Sequence, residues 1–375
     1  MNVLLQVLYT VLGLGFLIFI HELGHFAAAK IFKVQTNEFS LGMGPKLISV
    51  KKIKATGKRR VTSFFSKDKP ELEPDGNTAY SLRLLPIGGF VVMEGENDES
   101  DSENALYKKA KWKRLIIMLA GITMNILVAI IITFFLTLTT KTPTTVIAEF
   151  NSDAVSVESG LREGDRIVRI GNTNITTYTD ISRAFQDAVK EDSVDVTVER
   201  DGETVELKNV VFPRMNMKGE PATEEDLKSG EMTMFSVDFK VYAQEKTVGN
   251  VLKTTFADTF SQVRVMYDTL YDLITNKISV KYISGPVGAS TVIKQAADAG
   301  IESFMYVLGF ISINLAVINL LPLPALDGGQ ALLLVIEMIT RKKIPEKVKG
   351  AINAVGMVFI FGLAIIIAVK DIIFL

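Results

Sequence analysis

"VLLQVLYTVLGLGFLIFIHELGH", residues 3–25, joins two features that rarely meet. From Val3 to Ile20 only Gln6, Tyr9 and Thr10 carry a polar side-chain atom, and the run then ends in His21, Glu22 and His25. The 375-residue chain has two histidines in all, and both stand here. On an α-helix, residues four apart share a face, so His21 and His25 can meet one metal ion while Glu22 points into the same cleft. Such a turn at the end of an apolar helix calls for a chemical reason.

Working outward, hydrophobic residues make up 48% of the chain and the mean hydropathy is +0.28, above what a soluble domain needs. They are concentrated in four blocks: Val3 to Ile20 continuing to Phe32, Leu115 to Leu138, Phe304 to Ile339 with an internal break, and Ala351 to Val369. As a helix, the second block would be about 36 Å long, enough to cross a bilayer with some tilt. An integral protein of the cell membrane is expected. The first block is not read as a cleaved signal peptide. No basic residue precedes Lys30, the apolar core is too long, and the His-Glu-His turn lies between that core and Ala27-Ala28-Ala29. The absence of cysteine excludes disulfides and thiolate metal sites. Lys+Arg 41 against Asp+Glu 42 offers no basic excess for nucleic acid, so the expected surroundings are a lipid bilayer.

Sixteen Lys or Arg fall between Lys33 and Arg114, and "RKKIPEKVKG" (341–350) adds five. Positive loops mark the cytoplasmic side. Four spans then place both termini and the 141–300 segment outside the cytoplasm. The expected organisation is a first transmembrane helix over 1–33, β-elements and an acidic solvated loop over 34–112, a second helix over 113–139 and a β-rich domain over 145–240. Amphipathic juxtamembrane helices over 241–300, a broken third span over 301–340 and a fourth helix over 351–374 complete it. After the linker "KTPTT" (141–145), strands alternate with one helical stretch, "YTDISRAFQDAVK" (178–190), and an Asp201-Gly202 turn. "SGLREGDRIVRIGNTNIT" (159–176) resembles the turn and strand of PDZ domains, which bind peptides by strand addition. The amphipathic stretch 248–277 fits either the outer membrane surface or packing on the β-domain. Gly13, Gly15, Gly121 and Gly356 read as packing glycines, and Asn125, Asn314 and Asn319 as inter-helix or substrate contacts.

A second anomaly lies in the third block. "NLLPLPALDGGQALL" (319–333) interrupts apolar sequence with Pro322, Pro324, Asp327, Gly328 and Gly329. Broken backbone at membrane depth needs protein or a water-filled cavity around it, and a carboxylate there needs a partner. A catalytic zinc takes three protein ligands and leaves a fourth position to water. No third histidine exists, so an acidic ligand is required. Asp327 is the carboxylate embedded in membrane sequence, and Zn2+ on His21, His25 and Asp327 would answer both anomalies, with Glu22 as general base. The alternative is Glu38 as third ligand, in a membrane-tethered protease of thermolysin type. A non-enzymatic alternative is a PDZ scaffold or a metal transporter, for which two histidines are a poor ligand supply.

HELGH in the first span, a PDZ-like insert and "NLLPLPALDGG" together resemble the site-2 protease family of intramembrane zinc metalloproteases, in its bacterial RseP-like branch. The resemblance implies a polytopic α-helical membrane protein with membrane-associated β-hairpins and one extracytoplasmic PDZ-like domain. It implies regulated cleavage of single-pass membrane proteins such as anti-sigma-type regulators or signal-peptide remnants, with the PDZ-like domain screening peptides or substrates. His21, His25 and Asp327 become ligands, Glu22 the base, and Asn319 a substrate-positioning residue, with Pro322 beside it. "EFSLGMGPKL" (38–47) and "YSLRLLPIGGFVVMEG" (80–95) look like the family's membrane-reentrant β-elements. "AGITMN" (120–125) matches its Gly-x-x-x-Asn element, with Ile122 where Pro is common. Because a helical substrate must unwind before its carbonyl can be attacked, capture as a strand at Phe39 and Val91 is expected.

Overall fold

The computed structural model describes residues 3–53, 57–64, 77–96, 100, 102–189, 191–216, 220–223, 233–275 and 285–374. Residues 97–99 and 101 of the acidic loop, and 276–284 of the stretch expected to hold juxtamembrane helices, lie outside them. The chain forms two compact units, Met1–Ile132 with Tyr271–Leu375, and Thr133–Leu270.

Among the described residues four helices are long and apolar enough to cross a membrane, over Leu5–Ile31, Lys111–Thr139, Ile301–Leu320 and Lys347–Asp371. They belong to α1 (Val3–Ile31), α2 (Lys111–Thr139), α6 (Ile301–Leu320) and α8 (Glu346–Phe374). α8 turns Val355, Val358, Phe361 and Ile366 outward, largely uncovered. Water would penalise that surface and acyl chains do not. These helices and the sheets beside them are those of a multi-pass membrane protein. α1 and α2 cross where Gly24 meets the carbonyl of Ala120 so closely that a Cβ would overlap it.

A three-stranded sheet of order β2-β1-β3 leans on α1. β1 (Thr36–Lys52) and β3 (Ala79–Met93) are long and bent, and β2 is Arg59–Ser63. The early half of β1 is paired on both sides: Phe39 faces Tyr80 and Val91, and Leu41 faces Leu82 and Gly89. The bend needs glycine at Gly42, whose φ of 85° is left-handed and where a Cβ would stand 2.5 Å from the Leu85 carbonyl oxygen. Phe39 packs on Phe19 and Phe26 of α1, with ring centroids 5.7 and 4.9 Å away.

Beyond α6 the prolines stop the helix as expected. The chain resumes as α7 (Asp327–Thr340), so the third apolar block is two helices and a loop. α5 (Pro286–Ala299) has its first N–H groups capped by Asp371 Oδ2, which accepts from Gly285 and Gly288 at 2.8 and 3.0 Å.

In the Thr133–Leu270 unit, β4 (Pro143–Phe150), β5 (Arg166–Ile170), β6 (Thr173–Asn174), β7 (Val194–Arg200), β8 (Glu203–Val210) and β11 (Phe239–Ala243) form one sheet. Its main path runs β11-β4-β5-β7-β8, with β6 on β5. β9 (Arg214–Met215) and β10 (Met234–Phe235) pair separately. Ile147, Ile167, Ile181, Phe185, Val196 and Val198 are buried in its core. Asp201 and Gly202 take φ values of 52° and 84° and close the β7–β8 hairpin. α3 (Tyr178–Asp187) begins with a capping box of Thr177 and Asp180. α4 (Val248–Ile274) lays its polar side on α3, Ser261 Oγ donating to Asp180 Oδ1 at 2.6 Å and Arg183 pairing with Asp268 at 3.1 Å. The amphipathic stretch therefore packs on the β-rich domain.

Candidate metal centre

The helical spacing of α1 turns both imidazoles to one side. His21 and His25 are 8% and 9% exposed, and their rings meet edge to face at 4.9 Å. The two Nε2 atoms are 3.2 Å apart, and Asp327 Oδ2 lies 2.9 Å from that of His21 and 3.2 Å from that of His25. Donor atoms about 2.0–2.1 Å from a tetrahedral Zn2+ stand roughly 3.3 Å from one another, so the triangle has the size a zinc ion requires. Asp327 Oδ2 is sealed from solvent without a hydrogen bond of proper geometry. A cation among the three atoms would satisfy it. Two imidazoles and a carboxylate fit zinc, and among the described residues this is the one cluster that could hold a metal ion.

The surroundings fix each donor. His25 Nδ1 donates to the carbonyl oxygen of Ile117 at 2.8 Å, which places the ring proton on Nδ1 and leaves the Nε2 lone pair for a metal. Gly121 of α2 lies directly over the pair: a Cβ there would be 2.5 Å from His25 Nε2 and 2.7 Å from His21 Nε2. Gly121 is a packing glycine, and what it packs against is the site itself. Asp327 opens α7, and Gly328 and Gly329 have no room for a side chain because the carbonyls of Leu320 and Leu323 occupy that space. Ala325 holds a left-handed φ of 70°, its N–H donating to Asn353 Oδ1 of α8 at 3.3 Å. α8 thus braces the loop that carries the carboxylate.

Glu22 stands beside the triangle, and its carboxylate accepts a hydrogen bond from the main chain of Val91. A Cβ on Gly89 would lie 3.4 Å from Glu22 Cγ. The strand facing the site is therefore the end of β3, Gly89 to Met93. Phe39 is not at an edge, because its main chain is paired on both sides, and the side chains of Phe39 and Val91 are both buried in the α1–sheet core. Asn319 is half-buried in the last turn of α6, and Pro322 lies in the loop that follows.

Glu38 is excluded as third ligand. Its carboxylate is committed to Lys46 and Arg83, each at 2.9 Å, within the sheet. Burial opposes its charge, but hydrogen bonds from Lys46, Ser81 and Arg83 outweigh that and hold it below the usual carboxylate range. The acidic loop is not wholly solvated either. Glu96 is half-buried and accepts from the Met93 N–H at 3.4 Å. Burial pushes its carboxyl up; the Met93 bond and His25 oppose this, and Glu22 and Asp327 reinforce it. Nothing in the sequence marked Glu96, the Ile117 carbonyl or Asn353, since each acts through a contact distant along the chain.

The model of peptidase family M50 matches residues 9–59 and 57–363. A Clostridium perfringens protein named for zinc metalloprotease activity is 34% identical over 99% of both chains. Zinc metalloprotease RasP of Bacillus licheniformis is 28% identical, covering 96% of this chain and 97% of its own. The regulator of sigma-W protease RasP of Bacillus subtilis is 26% identical over 96% of each. A match running through both halves of the His–Asp triangle, in a chain with four membrane-length helices, makes this protein a member of peptidase family M50, the site-2 proteases: an intramembrane zinc metalloprotease.

Proposed function

We propose that His21, His25 and Asp327 hold the catalytic Zn2+, that Glu22 is the general base, and that the protein hydrolyses peptide bonds inside transmembrane segments of single-pass membrane proteins. The observation that carries this is the meeting of three ligand-sized donors with the Glu22 carboxylate, beside the β3 strand, at the end of a membrane-length helix. When bound, Zn2+ supplies Lewis acidity toward the scissile carbonyl and the attacking water. Glu22 takes the proton from that water and delivers it to the leaving nitrogen, and the Val91 N–H keeps its carboxylate aimed. The Gly89–Met93 edge holds the unwound substrate as an added strand, giving main-chain partners to groups that lipid cannot satisfy. Val91 serves through its main-chain bond to Glu22, and Asn319 and Pro322 position the substrate near the Asp327 loop.

The Thr133–Leu270 unit is PDZ-like and lies outside the cytoplasm with both termini, while the two lysine- and arginine-rich loops face the cytoplasm. It screens substrates and leaves the chemistry to the membrane helices, since every proposed catalytic group lies in the other unit. The Bacillus subtilis relative is named for regulating sigma-W, and a membrane-embedded regulator is the substrate class proposed here. Co-expression with a panel of single-pass substrates, wild type against Glu22→Gln, tests the reading. A fragment that disappears with Glu22→Gln is expected, the rate falling about 10²–10⁴-fold. Fragments that persist in Glu22→Gln would remove Glu22 from the mechanism.

A further inference from the structure

His21 differs from its partner in how its second nitrogen is held. His25 Nδ1 meets a carbonyl oxygen, which can only accept. His21 Nδ1 instead faces the side chain of Asn125, a residue of α2 with 0% exposure, and the atom placed 3.2 Å away is the amide nitrogen Nδ2. The other half of the same amide, Oδ1, is buried with no hydrogen-bond partner. In this orientation the amide donates, His21 Nδ1 accepts, and the ring proton sits on Nε2, 3.2 Å from Nε2 of His25. That arrangement occupies the nitrogen a metal needs.

Rotating the amide by half a turn exchanges the two atoms at almost no steric cost, since they are nearly identical in size. Oδ1 then accepts from His21 Nδ1–H, the amide nitrogen takes the buried position the oxygen held, and the Nε2 lone pair is freed. We propose that Asn125 is the positioning residue that selects the metal-binding tautomer of His21 by presenting its side-chain oxygen to Nδ1, the inference resting on the assignment of His21 as a zinc ligand. Its placement is enforced from a third helix: Ser312 Oγ of α6, also 0% exposed, donates to the Asn125 main-chain oxygen at 2.8 Å. The two histidines are thus oriented by different means, His25 by a fixed main-chain acceptor and His21 by an amide that can turn.

Full-length protein in detergent would be titrated with Zn2+ against a chromophoric chelator, for wild type, His21→Ala, Asn125→Asp and Asn125→Leu, with the thermal stability of each recorded. Wild type should bind one zinc and His21→Ala should lose it; no binding by wild type would sink the ligand assignment and the inference with it. Asn125→Leu keeps the shape and removes the acceptor, and should weaken zinc about 10–100-fold. Asn125→Asp can only accept and should bind at least as tightly as wild type. If Asn125 instead donates to His21, Asp places two lone pairs face to face and zinc weakens; a tenfold loss in Asn125→Asp overturns the inference even if the Leu variant does not fold. Equal affinity in wild type and a folded Asn125→Leu also overturns it. With two histidines in the chain, ¹⁵N-histidine labelling of the zinc-loaded protein resolves both rings, and both should carry their proton on Nδ1.

Discussion

At residue scale, the site is defined as much by a missing side chain as by the proposed ligands. Gly121 borders His21 and His25 so closely that one methyl group would stand 2.5 Å from His25 Nε2. Interiors of this density do not yield to such an insertion without moving a helix. Gly121→Ala is therefore expected to weaken zinc by at least about tenfold, on the scale of a lost orienting contact, and to abolish cleavage. Gly362→Ala, at a position with nothing within 4 Å, should leave both unchanged. Zinc content and cleavage of the purified pair decide it; an unaltered Gly121→Ala would mean that the helices part freely. The histidines were legible because their partnership is written into one helix with a period of 3.6. Asp327 was legible because a carboxylate in lipid is expensive enough to need a reason. Gly121 and Asn125 stood out only as the ends of a Gly-x-x-x-Asn resemblance; that they touch the same site from α2, about a hundred residues away, is a distance no local pattern encodes.

The elements show how the Asp327 loop and the β-rich domain are held. Ala325, in a left-handed conformation two residues before Asp327, keeps it through the hydrogen bond to Asn353. A non-glycine residue there costs roughly 1–2 kcal/mol, so the bond to α8 works against a real tendency to relax. Asn353→Leu should loosen the loop and weaken zinc several-fold, as expected for loss of one buried hydrogen bond of about 1 kcal/mol. Asn353→Asp, which still accepts, should restore it. In the other unit, Asp258 of α4 has its carboxyl raised to about 6: burial is the main cause, Thr177 opposes it and Asp180 adds to it. A carboxyl raised on folding contributes stability that is full below the unfolded value near 3.8 and is lost as pH rises through about 6. Asp258→Asn should therefore stabilise the protein at pH 7 by up to about 3 kcal/mol and flatten its stability between pH 4 and 6. Thermal unfolding of both proteins across that range measures it, and parallel curves would remove Asp258 as the cause. The strand alternation and the Asp201-Gly202 turn announced this domain's hairpin. The packing of α4 was not legible, because an amphipathic face does not state what covers it.

For the whole molecule, the decisive quantity is the charge difference across the membrane. Translocating a lysine- or arginine-rich loop is unfavourable, and the 33–114 and 341–350 loops hold 21 of the 41 basic residues, 16 and five. With four spans the proposed topology puts the Thr133–Leu270 unit on the opposite face from both loops. The chain has no cysteine, so single introduced cysteines report without background. The reporter must be exposed. Thr173 is 5% exposed and donates to Asp187, so it would report burial, whereas its neighbour Asn172 is open to solvent. Lys342, in the short loop before α8, is open as well. In intact cells a membrane-impermeant maleimide should label Asn172→Cys and not Lys342→Cys, and in inverted vesicles the pattern should reverse. Labelling of both from the same face would require an odd number of crossings to be lost between them. Labelling of Asn172→Cys from the cytoplasmic face alone would invert the proposed topology, leaving the Lys/Arg-rich loops outside the cytoplasm against the positive-inside tendency.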